Sequence, residues 1–129
     1  MNMTPIFLDL DKIHRLHISL VETYGGTLGT RDEGLLESAI SQPRAMFAGS
    51  YLHEFPFEMA AAYLFHIVQN HPFLDGNKRA GAAAAIVFLS MNDIDIAADE
   101  DGLIDITLAT ATGKADKAAI AKFFRSIAK

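Results

Sequence analysis

Between two long apolar segments lies His71-Pro-Phe-Leu-Asp-Gly-Asn-Lys-Arg79, a stretch that sets a base, an acid, a permissive turn and two cations within nine residues. His71 is its one side chain whose unperturbed pKa suits proton transfer near neutrality. It is therefore the candidate general base, a role that contributes roughly 100-fold to 10,000-fold in rate. Asp75, four residues on, can hold Mg2+ against phosphate oxygens or orient an incoming hydroxyl, since Mg2+ commonly takes one or two carboxylates beside substrate phosphates. Gly76, Asn77, Lys78 and Arg79 stand where a helix is expected to open. A helix N-terminus presents unpaired N–H groups and the positive end of the dipole, which together suit a phosphate, and Gly76 lets the ligand approach the backbone. Lys78 and Arg79 face the like-signed end of that dipole, a conflict of about 0.3–1 kcal/mol each that a bound polyphosphate removes. Singly, each residue has a bland explanation: Asp75 as a cap, Lys78 and Arg79 as solvated charges, His71 as turn filler. Their concentration at one helix entrance favours phosphate chemistry. Phe73 is assigned to the core, as the anchor that fixes the loop.

The elements that must position this loop are helices. Pro72 disfavours α geometry at His71, so the preceding helix, entered at Pro56 and running over Phe57–Asn70, stops near Asn70. It is apolar almost all round and must be buried on most sides. Gly76 to Asn92 has the same character, with small residues on one side that let a second helix come close, so these two form the expected central pair. Upstream, Ile13, Leu16, Leu20 and Tyr24 recur at helical spacing from a cap at Asp9 or Asp11, and Gly25-Gly26 ends the run. His14 and His17 in that helix are read as core or surface histidines, because no further ligands lie at metal-binding spacing. Asp32 caps a short helix through Leu35, Leu36, Ala39 and Ile40, closed by Pro43. From Arg44 to Pro56 the helical period is lost, and Phe47, Tyr51, His53 and Phe55 alternate as in a loop or short hairpin flap. Asp93 to Asp101 reads as a solvated acidic linker, followed by a helix over Leu103–Thr112 and a last one with an Ile120, Phe123, Phe124, Ile127 stripe. The acidic linker lacks the ligand spacing of a calcium loop, and Thr112-Gly113-Lys114 lacks the first glycine and the hydroxyl of a P-loop.

Composition narrows the class. A chain of 129 residues is expected to form one domain over 1–129. The absence of cysteine removes thiol nucleophiles, disulfides and thiolate zinc sites, and fits a reducing compartment. The N-terminus has no basic region ahead of its short apolar patch, unlike a signal peptide. The longest apolar run, Ala80 to Leu89, is about half of the ~20 residues that a membrane span needs. A cytoplasmic protein without a membrane partner is expected. The net charge of -5 argues against direct nucleic-acid binding, which rewards a basic face, so any phosphate must be held by a local site.

The stretch HPFLDGNKR resembles the signature of the Fic/Doc superfamily, and specifically its Doc branch, the toxins of Phd/Doc-type toxin–antitoxin modules. The resemblance extends to the helix ending in Tyr24-Gly25-Gly26, to the segment GTLGTRDEGLLESAI with Pro43-Arg44, and to the apolar helix before His71. It implies a mostly α fold, a compact helical bundle with a short β-hairpin flap beside the site. It further implies His71 as the base acting on a target hydroxyl, Phe73 as a core anchor, Asp75 as a Mg2+ or hydroxyl-orienting residue, and Gly76, Asn77, Lys78 and Arg79 as the phosphate cradle. Fic adenylyltransferases resemble one another in HxFx(D/E)GNGRxxR, whereas here Lys78 stands at their second glycine and Ala82 at their last arginine. A lysine there blocks close backbone approach of the nucleotide and adds a charge that can grip a different phosphate.

The Doc branch shares the lysine, and the resemblance implies protein phosphorylation from ATP or another nucleoside triphosphate with Mg2+, on elongation factor Tu, arresting translation. Fic-like nucleotidyl transfer and a non-catalytic nucleotide-binding module are the alternatives. Many Fic proteins also resemble one another in an inhibitory helix, (S/T)xxxE(G/N). Here Thr30 to Gly34 is one residue too short and Ser50 to Glu54 is followed by Phe55. Inhibition is therefore expected in trans, from a Phd-like antitoxin whose short segment folds into a helix on binding.

Overall fold

In a computed structural model, which describes residues 4–129, the chain runs α1 (Leu10–Tyr24), α2 (Glu33–Ser41), a 3-10 turn (Gln42–Arg44), the hairpin β1 (Met46–Phe47) and β2 (Ser50–Tyr51), α3 (Phe57–Asn70), α4 (Asn77–Met91), α5 (Glu100–Ala111) and α6 (Lys117–Ile127). Met1–Met3, part of the N-terminal stretch read above, lie outside the described residues. The fold is a mostly α bundle with a small antiparallel hairpin, as the sequence leads one to expect. Among the described residues no helix is long and apolar enough to cross a membrane.

Helix α3 occupies the centre because it has no polar face: Met59 to Leu64, Ile67 and Val68 are all buried. Helix α4 lies along it over the most extensive interface in the molecule. Gly81 makes that approach possible, since a Cβ there would sit 2.9 Å from Val68 Cγ2 and 3.1 Å from the Leu64 carbonyl oxygen. Helix α6 covers another side of α3 with Ile120, Ala121 and Phe124. The segment before α1 is tied to α3 by Tyr63, whose buried hydroxyl accepts from Leu8 N (2.9 Å) and donates to Leu8 O (3.3 Å). Burial pushes that phenol up to about 12. Asn92 clasps Ile6 in the same way, accepting from its N–H (2.8 Å) and donating to its carbonyl (2.9 Å).

Caps set most of the boundaries. The side chains of Asp9, Asp32, Asp99 and Asp116 accept from Lys12 N, Leu35 N, Gly102 N and Ala119 N at the starts of α1, α2, α5 and α6. Two expectations change here. Helix α5 begins at Glu100, three residues before Leu103, because Asp99 caps it and Glu100 and Asp101 lie in the first turn, where the dipole favours acids. That part of the acidic stretch is helix rather than linker. In α1 the fully buried line is Ile13, His17 and Val21; Leu16 and Leu20 flank it half-buried, and Tyr24 is 61% exposed because the helix ends beyond the core there. The period loss from Arg44 to Pro56 corresponds to the hairpin, whose two turn residues, Ala48 and Gly49, both take positive φ (52° and 83°), as two-residue hairpin turns require.

Between α6 and α3, Lys117 Nζ lies 3.1 Å from His53 Nε2 and 3.2 Å from His66 Nε2. An ammonium can only donate, so both imidazoles accept at Nε2 and are neutral. Burial, Lys117 and His53 push His66 down to about 4 from 6.5. Burial and Lys117 push His53 down as well. An unfolded His66 takes up its proton below 6.5 and the folded one only near 4, so between those values the unfolded state holds more protons. Stability is therefore expected to fall as pH is lowered through that window. Urea midpoints measured at a series of pH values should show the decline, and His66→Gln, which keeps an acceptor for Lys117, should flatten it. An unchanged pH slope in that variant would refute the assignment.

Candidate functional site

The loop between α3 and α4 is short and both helices are buried, so its backbone groups need partners supplied by other elements. His71 ends α3 in the left-handed region (φ 52°, ψ 52°), with its N–H on Ile67 O at 3.2 Å. For a non-glycine residue this geometry costs on the order of 1–3 kcal/mol and must be imposed by its surroundings. Arg31 supplies the constraint. Its Nε donates to His71 O (2.7 Å) and its Nη2 to Asn70 O (3.0 Å), while the backbone N–H groups of Arg31 and Asp32 both donate to Pro72 O (2.7 and 3.0 Å). The last carbonyls of α3 thereby meet a cation, which also suits the helix dipole. The imidazole of His71 itself is left exposed.

Phe73 is fully buried and stacks on the His17 ring, with centroids 3.8 Å apart and planes within 5°. Asn77, expected as part of the phosphate cradle, turns its side chain toward the backbone of Phe73. Its side chain is buried, accepting from Phe73 N (2.8 Å) and donating to Phe73 O (3.0 Å). It braces the loop through both backbone groups of Phe73, and its own backbone N–H lies in the first turn of α4. Leu74 N donates to Gly29 O (3.0 Å), and Thr30 and Phe73 form an isolated antiparallel bridge.

Asp75 is exposed, yet its carboxylate direction is set. Oδ2 accepts from Thr27 N (3.1 Å) and Oδ1 from Gly76 N (2.9 Å). Gly26 permits the first contact: its φ is +116°, and a Cβ on it would stand 2.8 Å from Oδ2. Each oxygen keeps acceptor capacity after one such bond. No group of three or more His, Cys, Asp or Glu side chains that could hold a metal occurs among the described residues. A cation at this loop would thus have Asp75 as its carboxylate and take its other ligands from phosphate and water, which fits Mg2+.

Helix α4 opens at Gly76 (φ 77°) with no side-chain cap. Its first-turn N–H groups, from Asn77, Lys78 and Arg79, have no intrahelical acceptor. Lys78 and Arg79 project beside them, exposed, and the Arg79 guanidinium lies over the Tyr24 ring at 4.8 Å. His71, Asp75, Lys78 and Arg79 are thus exposed and Gly76 half-buried, while Phe73 and the Asn77 side chain are buried. The surface concavities of about 440 Å³ beside Phe65, Gln69 and Lys114, and about 320 Å³ beside His53, Glu58 and Lys117, lie elsewhere. Chemically, an exposed imidazole could take up a proton, and unpaired first-turn N–H groups could accept an anion. Several supporting residues escape a sequence reading. Arg31 looks like any charged loop residue, Gly26 like a helix stop, and His17 like a core histidine. His14, three residues before His17, meets Glu33 at 3.0 Å across the α1–α2 surface and turns its ring edge-on to Phe73, with centroids 6.3 Å apart.

A family model described as the Fic/DOC family matches residues 7–89. The chain is 42% identical over 78 residues to a protein named Toxin Doc from Mycolicibacterium smegmatis, an alignment that spans 60% of each chain. It is also 31% identical over 117 residues to Protein kinase doc from Escherichia phage P1, spanning 91% of each.

The Asn77 brace makes a direct prediction. Asn77→Ala strips both partners from the backbone of buried Phe73, and leaving such groups unsatisfied should cost on the order of 2 kcal/mol or more. Denaturant unfolding measures this, with the exposed Lys78→Ala as a control expected to stay within about 0.5 kcal/mol. Equal midpoints for the two variants would refute the brace.

Proposed function

The chain belongs to the Fic/DOC family, and from that premise we propose that it is a Doc-type toxin that phosphorylates a protein hydroxyl. The donor is ATP or another nucleoside triphosphate with Mg2+, the acceptor a Ser or Thr of a translation factor, elongation factor Tu by family implication, and the setting the cytoplasm. The relative named Protein kinase doc aligns along most of both chains, and the relative named Toxin Doc gives the same direction. The observation that carries the reading is Lys78, exposed in the uncapped first turn of α4. At the point where close backbone approach would let the terminal phosphates settle deep in the cradle, a long cationic side chain stands instead.

In the proposed reaction the acceptor hydroxyl gives its proton to His71 as its oxygen bonds to the γ phosphorus, and the bond from that phosphorus to the bridging β–γ oxygen breaks. The nucleoside diphosphate leaves with that electron pair. Transfer of this kind is mainly positioning and charge stabilisation. Lys78, Arg79 and the first-turn N–H groups of α4 stabilise charge on the transferred group and the leaving diphosphate. Asp75 would hold Mg2+, which neutralises phosphate charge when bound. Control is assigned to a separate Phd-like antitoxin, in keeping with the relative named Toxin Doc. Expression of the chain alone should therefore slow growth.

The deciding experiment is one incubation with target extract and Mg2+, in parallel with ATP labelled at the α or the γ position. Label retained on protein from γ alone is expected. Label from α would replace this reading with nucleotidyl transfer, and label from neither, with target present, would leave a binding module. His71→Ala should lower transfer by roughly 100-fold to 10,000-fold with unchanged thermal unfolding, because the side chain is exposed. Lys78→Gly should lose transfer even where nucleotide binding survives, and Arg79→Ala should weaken both.

A further inference from the structure

Resting on the phosphotransfer reading, we propose that His17 is a positioning residue that sets Asp75 and Gly76 through the peptide joining them. His17 lies on α1, 58 positions from Asp75 in sequence, and is only 3% exposed. Its Nε2 is 2.7 Å from the Asp75 carbonyl oxygen. A carbonyl can only accept, so Nε2 carries the proton and donates. The ring is held in place by its parallel stack on Phe73.

That one bond governs more than a carbonyl. The 75–76 peptide is planar, so fixing its oxygen also fixes the direction of the Gly76 N–H. That N–H is bonded to Asp75 Oδ1, while Oδ2 is held by Thr27 N in the turn that follows α1. The main chain and the carboxylate of Asp75 are therefore gripped from one side by α1 and its C-terminal turn. Rotation of the 75–76 peptide would release Oδ1 and move Gly76 from its left-handed geometry (φ 77°, ψ 22°), displacing the start of α4. Gly76 also sits against the imidazole, since a Cβ on it would lie 3.6 Å from Nε2. His17 thus acts on the proposed cation ligand and on the proposed phosphate cradle together, while touching neither ligand.

Two substitutions separate this role from packing. His17→Phe keeps a ring for Phe73 and removes the donor. His17→Gln removes the ring and supplies an amide N–H of similar reach. The kcat of γ-phosphoryl transfer should fall about 10-fold to 100-fold in His17→Phe, the range seen when groups that orient a ligand are lost, and the Mg2+ concentration for half-maximal rate should rise. His17→Gln should recover most of both. A packing role gives the reverse order, with His17→Phe active and His17→Gln impaired, and would overturn the proposal. Backbone amide NMR of the nucleotide-free protein gives a second reading that does not depend on activity. The Thr27 and Gly76 resonances should shift in His17→Phe and return in His17→Gln; unshifted resonances in His17→Phe overturn the proposal. If the unmodified protein transfers no label, the phosphotransfer reading fails and these resonances alone judge His17. Ring nitrogen shifts of the unmodified protein complete the test, because an unprotonated Nε2 at neutral pH would refute the bond even if both variants failed to fold.

Discussion

Two helices that must be buried on most sides, α3 and α4, are joined by a connection too short to pair its own backbone, and this constraint organises the molecule. Buried N–H and C=O groups need partners, and each turn of the connection finds one outside it. The carbonyls of His71 and Pro72 go to Arg31 and Asp32, the N–H of Leu74 to Gly29, and the carbonyl of Asp75 to His17. Phe73 is closed by the side chain of Asn77. The turn after α1 and the start of α2 therefore serve as the outer half of the connection. What is left facing outward is a set of side chains whose backbones cannot move independently.

This rigidity bears on chemistry. Phosphoryl transfer gains chiefly from holding reacting groups in line and from donors already aimed at developing charge. Under the proposed reading, a His71 backbone tied by a guanidinium and an Asp75 carboxylate bonded at both oxygens would contribute to that holding. The four aspartate caps sharpen the contrast with α4. Where α1, α2, α5 and α6 fill their N-terminal vacancy with a carboxylate of the chain itself, α4 leaves it to backbone N–H groups and two cations. In a chain of net charge -5, the proposed phosphate site would therefore depend on this local turn and not on a generally basic face.

Much of this was legible in the linear sequence, because the relevant signals are local. Pro72 ends α3, Gly76 opens α4, apolar residues without a polar face mark the central pair, and HPFLDGNKR names its family by residue type and spacing alone. The hairpin was visible as a loss of helical period, and the caps of α1 and α2 as aspartates ahead of apolar runs. What could not be read is whatever depends on two distant segments meeting. Asn77 looks outward from its place in the motif, and only the fold turns it inward onto Phe73. Glu100 and Asp101 read as solvated linker until Asp99 caps them into α5. His17 stands 58 positions from Asp75, and its proton acquires a purpose only when α1 crosses the loop. The sequence by itself determined which groups could do chemistry and which helices would hide them. The tertiary structure decided which way those groups point, because hydrogen-bond direction is a property of where two chains cross and not of either one alone.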